Sequence, residues 1–256
     1  MAMFWSFTSL KVFGAIVVNC PTVRVEPIVM QQFVLSQAVR AARRVVIAVL
    51  LCPFLAIGPG SHAQAPELFG FTAIPMPAKP DLSPYTKWTD MTRRLQQQVG
   101  WESENCATIF TPCPQRDWRK MLARAKSGSK EEQLDDVNRF VNRFDYVPDT
   151  VNWGGIDYWE TPKEFFLKGG ECKDFSISKY FSLRILGWPS DRLWMIVLQD
   201  MNLNVTHAVL AARLEGRTMI LDNQVADLVD QGRIRHYRPI FGLSETGWVI
   251  YRPNGS

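Results

Sequence analysis

No CxxC and no HxxxH occurs in these 256 residues, so the spacings that hold zinc are not present in the chain. Internal repeats and low-complexity tracts are lacking as well, which sets aside repeat architectures and long disordered segments. Excess charge is confined to one end. The formal net charge is +4, but residues 1–65 hold five basic residues (Lys11, Arg24, Arg40, Arg43, Arg44) against one acidic residue, Glu26, and residues 66–256 carry 24 of each sign. A neutral body has no electrostatic footprint for a phosphate backbone, so nucleic acid is not an expected partner. With 46% hydrophobic and 21% charged residues the chain has a globular composition.

A membrane-spanning run is also wanting. The apolar stretch 45–57 has 13 residues and contains Pro53, whereas a spanning helix needs about 20. It follows Arg40, Arg43 and Arg44 and precedes Ala63-Gln64-Ala65, the order of a secretory signal peptide, with a membrane anchor as the alternative. The expected organisation is a leader over 1–65, cleaved near Ala65, and one domain over 66–256, exported to the periplasm. Arg43-Arg44 is compatible with a route for folded proteins. Met30 is a candidate start, which would make 1–29 a mistaken extension.

Cysteine is scarce. Of five, Cys20 and Cys52 lie in or before the leader, which leaves Cys106, Cys113 and Cys172, an odd number for an oxidising compartment. Pairing Cys106 with Cys113 leaves Cys172 as the thiol. The other reading has all three reduced and buried.

Helical spacing is present over 87–98, with Trp88, Met91 and Leu95 on one face, and over 118–126. A third helix is expected after Ser129 as N-cap, with Glu131 and Glu132 in its first turn and Leu134, Val137, Phe140, Val141 and Phe144 inward. Residues 70–83 are proline-rich and read as extended. Residues 148–170 read as a loop whose Trp153, Tyr158 and Trp159 either line a cleft or serve packing. Strands are expected within 191–200, 206–214, 218–224, 234–244 and 247–252. Helices first and an antiparallel sheet second make the fold α+β.

In "GGECKDFSISKYFSLRILG", residues 169–187, a cysteine stands at a helix start behind two glycines. Helix starts present unpaired N–H groups and the positive dipole end, which lower a thiol's pKa, so an exposed nucleophile is expected at Cys172. In "VTHAVLAARLEGRTMILDNQ", residues 205–224, a hairpin with Glu215-Gly216 as its two turn residues pairs Leu214 with Arg217. His207 and Asp222 then share a face as diagonal neighbours, within hydrogen-bonding reach, and a register shift of one residue would separate them. A thiol, an imidazole and a carboxylate so placed supply nucleophile, base and orienter for acyl chemistry.

The blocks "WETPKEFFLKGGECKDFSISKYFSLRILGWP", "THAVLAAR" and "ILDN" together resemble the bacterial transglutaminase-like cysteine proteinases and, within them, the LapG-type periplasmic proteases, over roughly residues 136–250. The resemblance implies a papain-like, transglutaminase-type core with Cys172 as nucleophile, His207 as general base and Asp222 as orienter. It further implies cleavage of a large surface adhesin near its N-terminus, control of biofilm release, and inhibition by an inner-membrane receptor for cyclic di-GMP. Acidic residues flanking the family's cysteine bind calcium, which makes Glu171 and Asp174 candidate ligands. Here the chain departs: Lys173 stands where the family carries an acid, and an ammonium gives calcium no oxygen while adding like charge. Acids in a first helical turn also offset the dipole without any metal. A transglutaminase and a non-catalytic binding module of the same fold are the alternative readings.

Overall fold

The computed structural model describes residues 65–76, 82, 85–101 and 113–255. The expected leader and Cys106 therefore lie outside the described residues. Among the described residues six α-helices and seven strands follow one another as β1 (Phe71–Met76), α1 (Thr86–Gln97), α2 (Pro114–Ala125), α3 (Lys130–Val141), α4 (Asp149–Asn152), α5 (Pro162–Lys168), α6 (Cys172–Ile185), β2 (Leu193–Asp200), β3 (Val205–Leu214), β4 (Arg217–Leu221), β5 (Val229–Asp230), β6 (Tyr237–Ser244) and β7 (Gly247–Pro253). The sheet is antiparallel throughout, in the order β1-β7-β6-β2-β3-β4-β5. The α+β expectation holds. No described helix is long and apolar enough to cross a membrane.

Local chemistry explains most of the helix starts. Ser129 accepts from the Glu132 N–H at 3.2 Å while Glu132 accepts from the Ser129 N–H at 2.6 Å, a reciprocal cap that opens α3 where expected. Phe144 falls beyond the end of that helix, yet is buried. Thr161 and Glu164 form a second such box, with Pro162 in the first turn, and open α5 inside a segment read from sequence as loop. That signal, T-x-x-E with proline next to the cap, was legible. Helix α2 starts four residues before the apolar spacing does, because Pro114 tolerates the first helical turn.

The proline-rich segment supplies the edge strand β1, whose Pro75 pairs with Val249 at the sheet margin, where a missing N–H costs little. Central β2 is buried on both faces: Met195 and Val197 join the core beneath the helices, and Trp194, Ile196 and Leu198 join a second cluster with Leu68, Tyr237 and Tyr251. Helix α6 packs on β2 and β3 and is covered by α3 and α5. Every residue from Cys172 to Leu183 is buried. Three serines let this central helix approach its neighbours, and Ser182 receives the Trp118 indole N–H at 2.8 Å.

Candidate active site

The hairpin forms in the expected register, with Leu214 opposite Arg217 and Leu210 opposite Leu221. Glu215 (φ 49°) and Gly216 (φ 82°) adopt the left-handed conformation such a two-residue turn requires. The diagonal pair it predicts is made: His207 Nε2 lies 2.8 Å from Asp222 Oδ1. The thiol of Cys172 hydrogen-bonds the same imidazole. With Nε2 on the carboxylate, Nδ1 is the ring nitrogen left for sulfur. One turn into α6, the Ser176 hydroxyl lies 2.9 Å from the Cys172 carbonyl and 3.1 Å from that of Ala208, which fixes the helix start beside the histidine strand.

Asp222 is held by groups the sequence did not point to. Tyr237 donates its phenol to Oδ2 at 2.6 Å, the Gln224 N–H reaches Oδ1 at 2.9 Å, and Asn142 donates to the Asp222 carbonyl at 2.6 Å. Burial opposes charge on His207, but the Asp222 carboxylate, its hydrogen bond and the sulfur of Cys172 outweigh it and push the imidazole up to about 10. Burial would raise Asp222, yet His207, Tyr237 and the Gln224 N–H hold it well below the usual carboxylate range.

One expectation at this helix start is corrected. Cys172 is 0% exposed rather than open to solvent, because α6 is enclosed on every side. The two glycines serve close packing. A Cβ on Gly169, at φ 76°, would stand 2.3 Å from the Asp145 carbonyl oxygen, and one on Gly170 would stand 2.8 Å from Glu160 Oε2 and 2.9 Å from the Asp174 side chain. Trp159 is buried with its indole N–H on Asp157, and Trp153 stacks on Tyr158 at 4.2 Å while donating to Glu160 at 2.6 Å. These rings pack around a second cluster.

That cluster is acidic and lies against the first turn of α6. Asp149, Glu160 and Asp174 present oxygens within 4.8 Å of one another, close enough to hold a metal ion. Asp149 and Glu160 were not anticipated. Burial, with Asp174 beside it, pushes Glu160 up to about 9, so it keeps its proton at neutral pH. Burial also lifts Asp174, to about 7, against the pull of Lys173. Lys173 itself is 0% exposed. Burial disfavours its charge, but Asp174, Glu171 and Asp149 overcome this and hold it above the ordinary lysine range.

Cysteine usage agrees with this arrangement. Cys113, at the start of α2, is disulfide-bonded, and Cys172 is a thiol. A family model described as bacterial transglutaminase-like cysteine proteinase matches residues 91–238, more than half of the chain and inclusive of all three groups. The chain belongs to that family. The calcium-bound structure of Legionella pneumophila LapG is similar at 28% sequence identity and a TM-score of 0.50, over 62% of this chain and 86% of LapG. A second structure of the same LapG gives 27% and 0.48, over 63% and 84%. No curated protein matches.

Calcium held by the acids beside the cysteine, as the sequence resemblance implies for the proteinase family, is a poor fit to the residues present. Calcium takes six to eight oxygens at about 2.3–2.6 Å. Glu171 Oε2 and Asp174 Oδ2 already face the Lys173 ammonium at 3.0 and 3.1 Å. Both carboxylates also accept backbone hydrogen bonds: Glu171 Oε1 takes the Asp149 N–H at 3.1 Å, and Asp174 takes the N–H groups of Glu160 and Glu171, each at 2.9 Å.

Proposed function

We propose that this proteinase-family chain is a periplasmic cysteine endopeptidase that cuts a large exported adhesin near its N-terminus and so governs attachment and release of biofilm cells. The observation that carries the reading is the run of contacts from the Cys172 thiol through His207 to Asp222, with the Asp222 bond at 2.8 Å. Family membership and likeness to Legionella pneumophila LapG support it. An inner-membrane cyclic di-GMP receptor is the expected inhibitory partner, and the basic, apolar leader with its Ala63-Gln64-Ala65 site supports export.

The chemistry follows from the positions. His207 takes the thiol proton, and the Cys172 thiolate adds to the peptide carbonyl carbon. Backbone N–H groups at the start of α6 stabilise the oxyanion, a contribution of about 3 kcal/mol per donor in other enzymes. The C–N bond then breaks, with His207 returning its proton to the leaving amine. Water, deprotonated by His207, releases the acyl group and regenerates the thiol. Asp222, fixed by Tyr237, keeps the imidazole oriented and stabilises it when charged.

The test is incubation of the purified protein, beside Cys172→Ala, with candidate exported adhesins. Cleavage by the first and not the second supports the reading. No cleavage of any adhesin points to a binding module. Incorporation of a labelled primary amine in place of hydrolysis makes the chain an acyl transferase.

A further inference from the structure

Lys173 follows the thiol in sequence, yet its side chain runs the other way, into the protein. The ammonium lies 3.0 Å from Asp149 Oδ2, 3.0 Å from Glu171 Oε2 and 3.1 Å from Asp174 Oδ2. The ammonium donates hydrogen bonds to Glu171, the cap of α6, and to Asp174 in its first turn, and forms an ion pair with Asp149 of α4. The walls are built around this charge. Tyr158 donates its backbone N–H to Asp149 Oδ2 at 2.7 Å, and Asn152 and Trp153 donate to Glu160 Oε1 at 3.2 and 2.6 Å. Two further oxygens, Asp149 Oδ1 and Glu160 Oε2, are buried without a hydrogen-bond partner, on residues 1% and 0% exposed.

The three carboxyl groups that face the ammonium require a cation, because buried carboxylates are strongly destabilising without one. A divalent ion held by the oxygens of Asp149 and Asp174 would share them with the ammonium, and like charges that close in a buried site repel strongly. One cation excludes the other.

We propose that the Lys173 ammonium is this chain's built-in substitute for a bound divalent cation, tethering α4 to the nucleophile helix so that the fold of the first turn of α6 needs no calcium. The inference goes beyond the peptidase reading and stands or falls separately, since its readout is unfolding rather than cleavage. It also makes a directional statement about sequence: exchanging the one cationic residue for an acid or a small residue converts a metal-independent helix start into a metal-dependent one.

Thermal unfolding of the full chain in calcium chloride and in EGTA is the test, with direct calcium titration by calorimetry alongside. Wild type is expected to unfold at the same temperature in both buffers, within about 1 °C, and to take up no calcium. Lys173→Glu and Lys173→Ala are each expected to unfold earlier in EGTA. Calcium at a hundredfold excess over its dissociation constant should raise their midpoints by roughly 5–10 °C. Recovery of folded Lys173→Glu only from calcium-containing buffer counts for the proposal. A wild-type midpoint that rises by several degrees with calcium, or a calorimetric calcium site in wild type, overturns it. So does folded Lys173→Glu or Lys173→Ala whose midpoint ignores calcium. Should both variants fail to fold in either buffer, the wild-type arm decides.

Discussion

Cys172 and Lys173 are neighbours in the first turn of one helix, and they enter two sites of opposite construction. On one side a single buried imidazole joins a thiol to a carboxylate that takes its phenol from Tyr237. On the other a single ammonium satisfies three carboxylates and has no acceptor for a proton. The first arrangement can pass a proton along its members. The second can only hold charge in place. On the proposed reading chemistry and fixation fall to adjacent residues, and substitutions on the two sides should fail differently, one in rate and the other in stability.

The widest expected gap between the two sides comes from Cys172→Ala, which should abolish cleavage of a susceptible adhesin, by about 10⁴-fold or more, while moving the thermal midpoint far less than any loss of Lys173. Steady-state cleavage and thermal unfolding on the same preparation check both halves. An activity loss under tenfold would remove sulfur from the chemistry.

Asp222→Asn comes next, with kcat expected to fall about 10³- to 10⁴-fold as the tautomer-fixing acceptor is lost. The same variant carries a pH signature. His207 is raised to about 10 from an unfolded value near 6.5, so its share of stability is fully present below about pH 6.5 and fades as pH rises toward 10. Asp222 is depressed, so its share is present above about pH 4 and is lost below it. The midpoint difference between wild type and Asp222→Asn should be greatest between those limits and should shrink toward pH 10. A difference independent of pH would mean that the pair is not charged in the fold.

Lys173→Met tests the holding side. Removing one partner of a buried charge cluster costs about 3–5 kcal/mol, so in chelator the denaturation midpoint should drop substantially. A change under about 1 kcal/mol would show that the three carboxylates are solvated by other means. The smallest effect is expected from Tyr237→Phe, which removes one donor from Asp222 and should cost about 1–3 kcal/mol, as a charged partner loses a buried bond. Its cleavage rate should fall less than that of Asp222→Asn.

The first site was legible in the sequence because local rules suffice for it. Period-two alternation and a Glu-Gly turn bring His207 and Asp222 together by counting, and the glycine pair with the acid cap marks where α6 begins. The second site was not, for a physical reason. A lysine beside acids in a first helical turn has the composition of a solvated surface, and only the path of residues 148–161 around the helix start makes that turn an interior. Asp149 and Glu160 come from that segment, read as a loop, where nothing local distinguishes a cap from a wall. Tyr237 reaches Asp222 across the sheet from β6, and cross-sheet partners depend on strand order, which alternation along one strand does not specify. The burial of the thiol was not legible for a similar reason: the run 175–185 mixes serines, Lys179 and Arg184 with apolar residues, and burial on every side follows only from the packing of α3, α5 and the sheet around it.

Alkylation of the native protein with iodoacetamide, followed by mass spectrometry of residue 172, addresses directly whether sulfur, imidazole and carboxylate act as a unit. With His207 charged across this range, labelling of Cys172 should proceed at nearly equal rates at pH 6 and pH 8 and should slow at pH 6 in His207→Ala. An ordinary thiol would instead react roughly 80-fold more slowly at pH 6 than at pH 8. That ratio in wild type would contradict the triad.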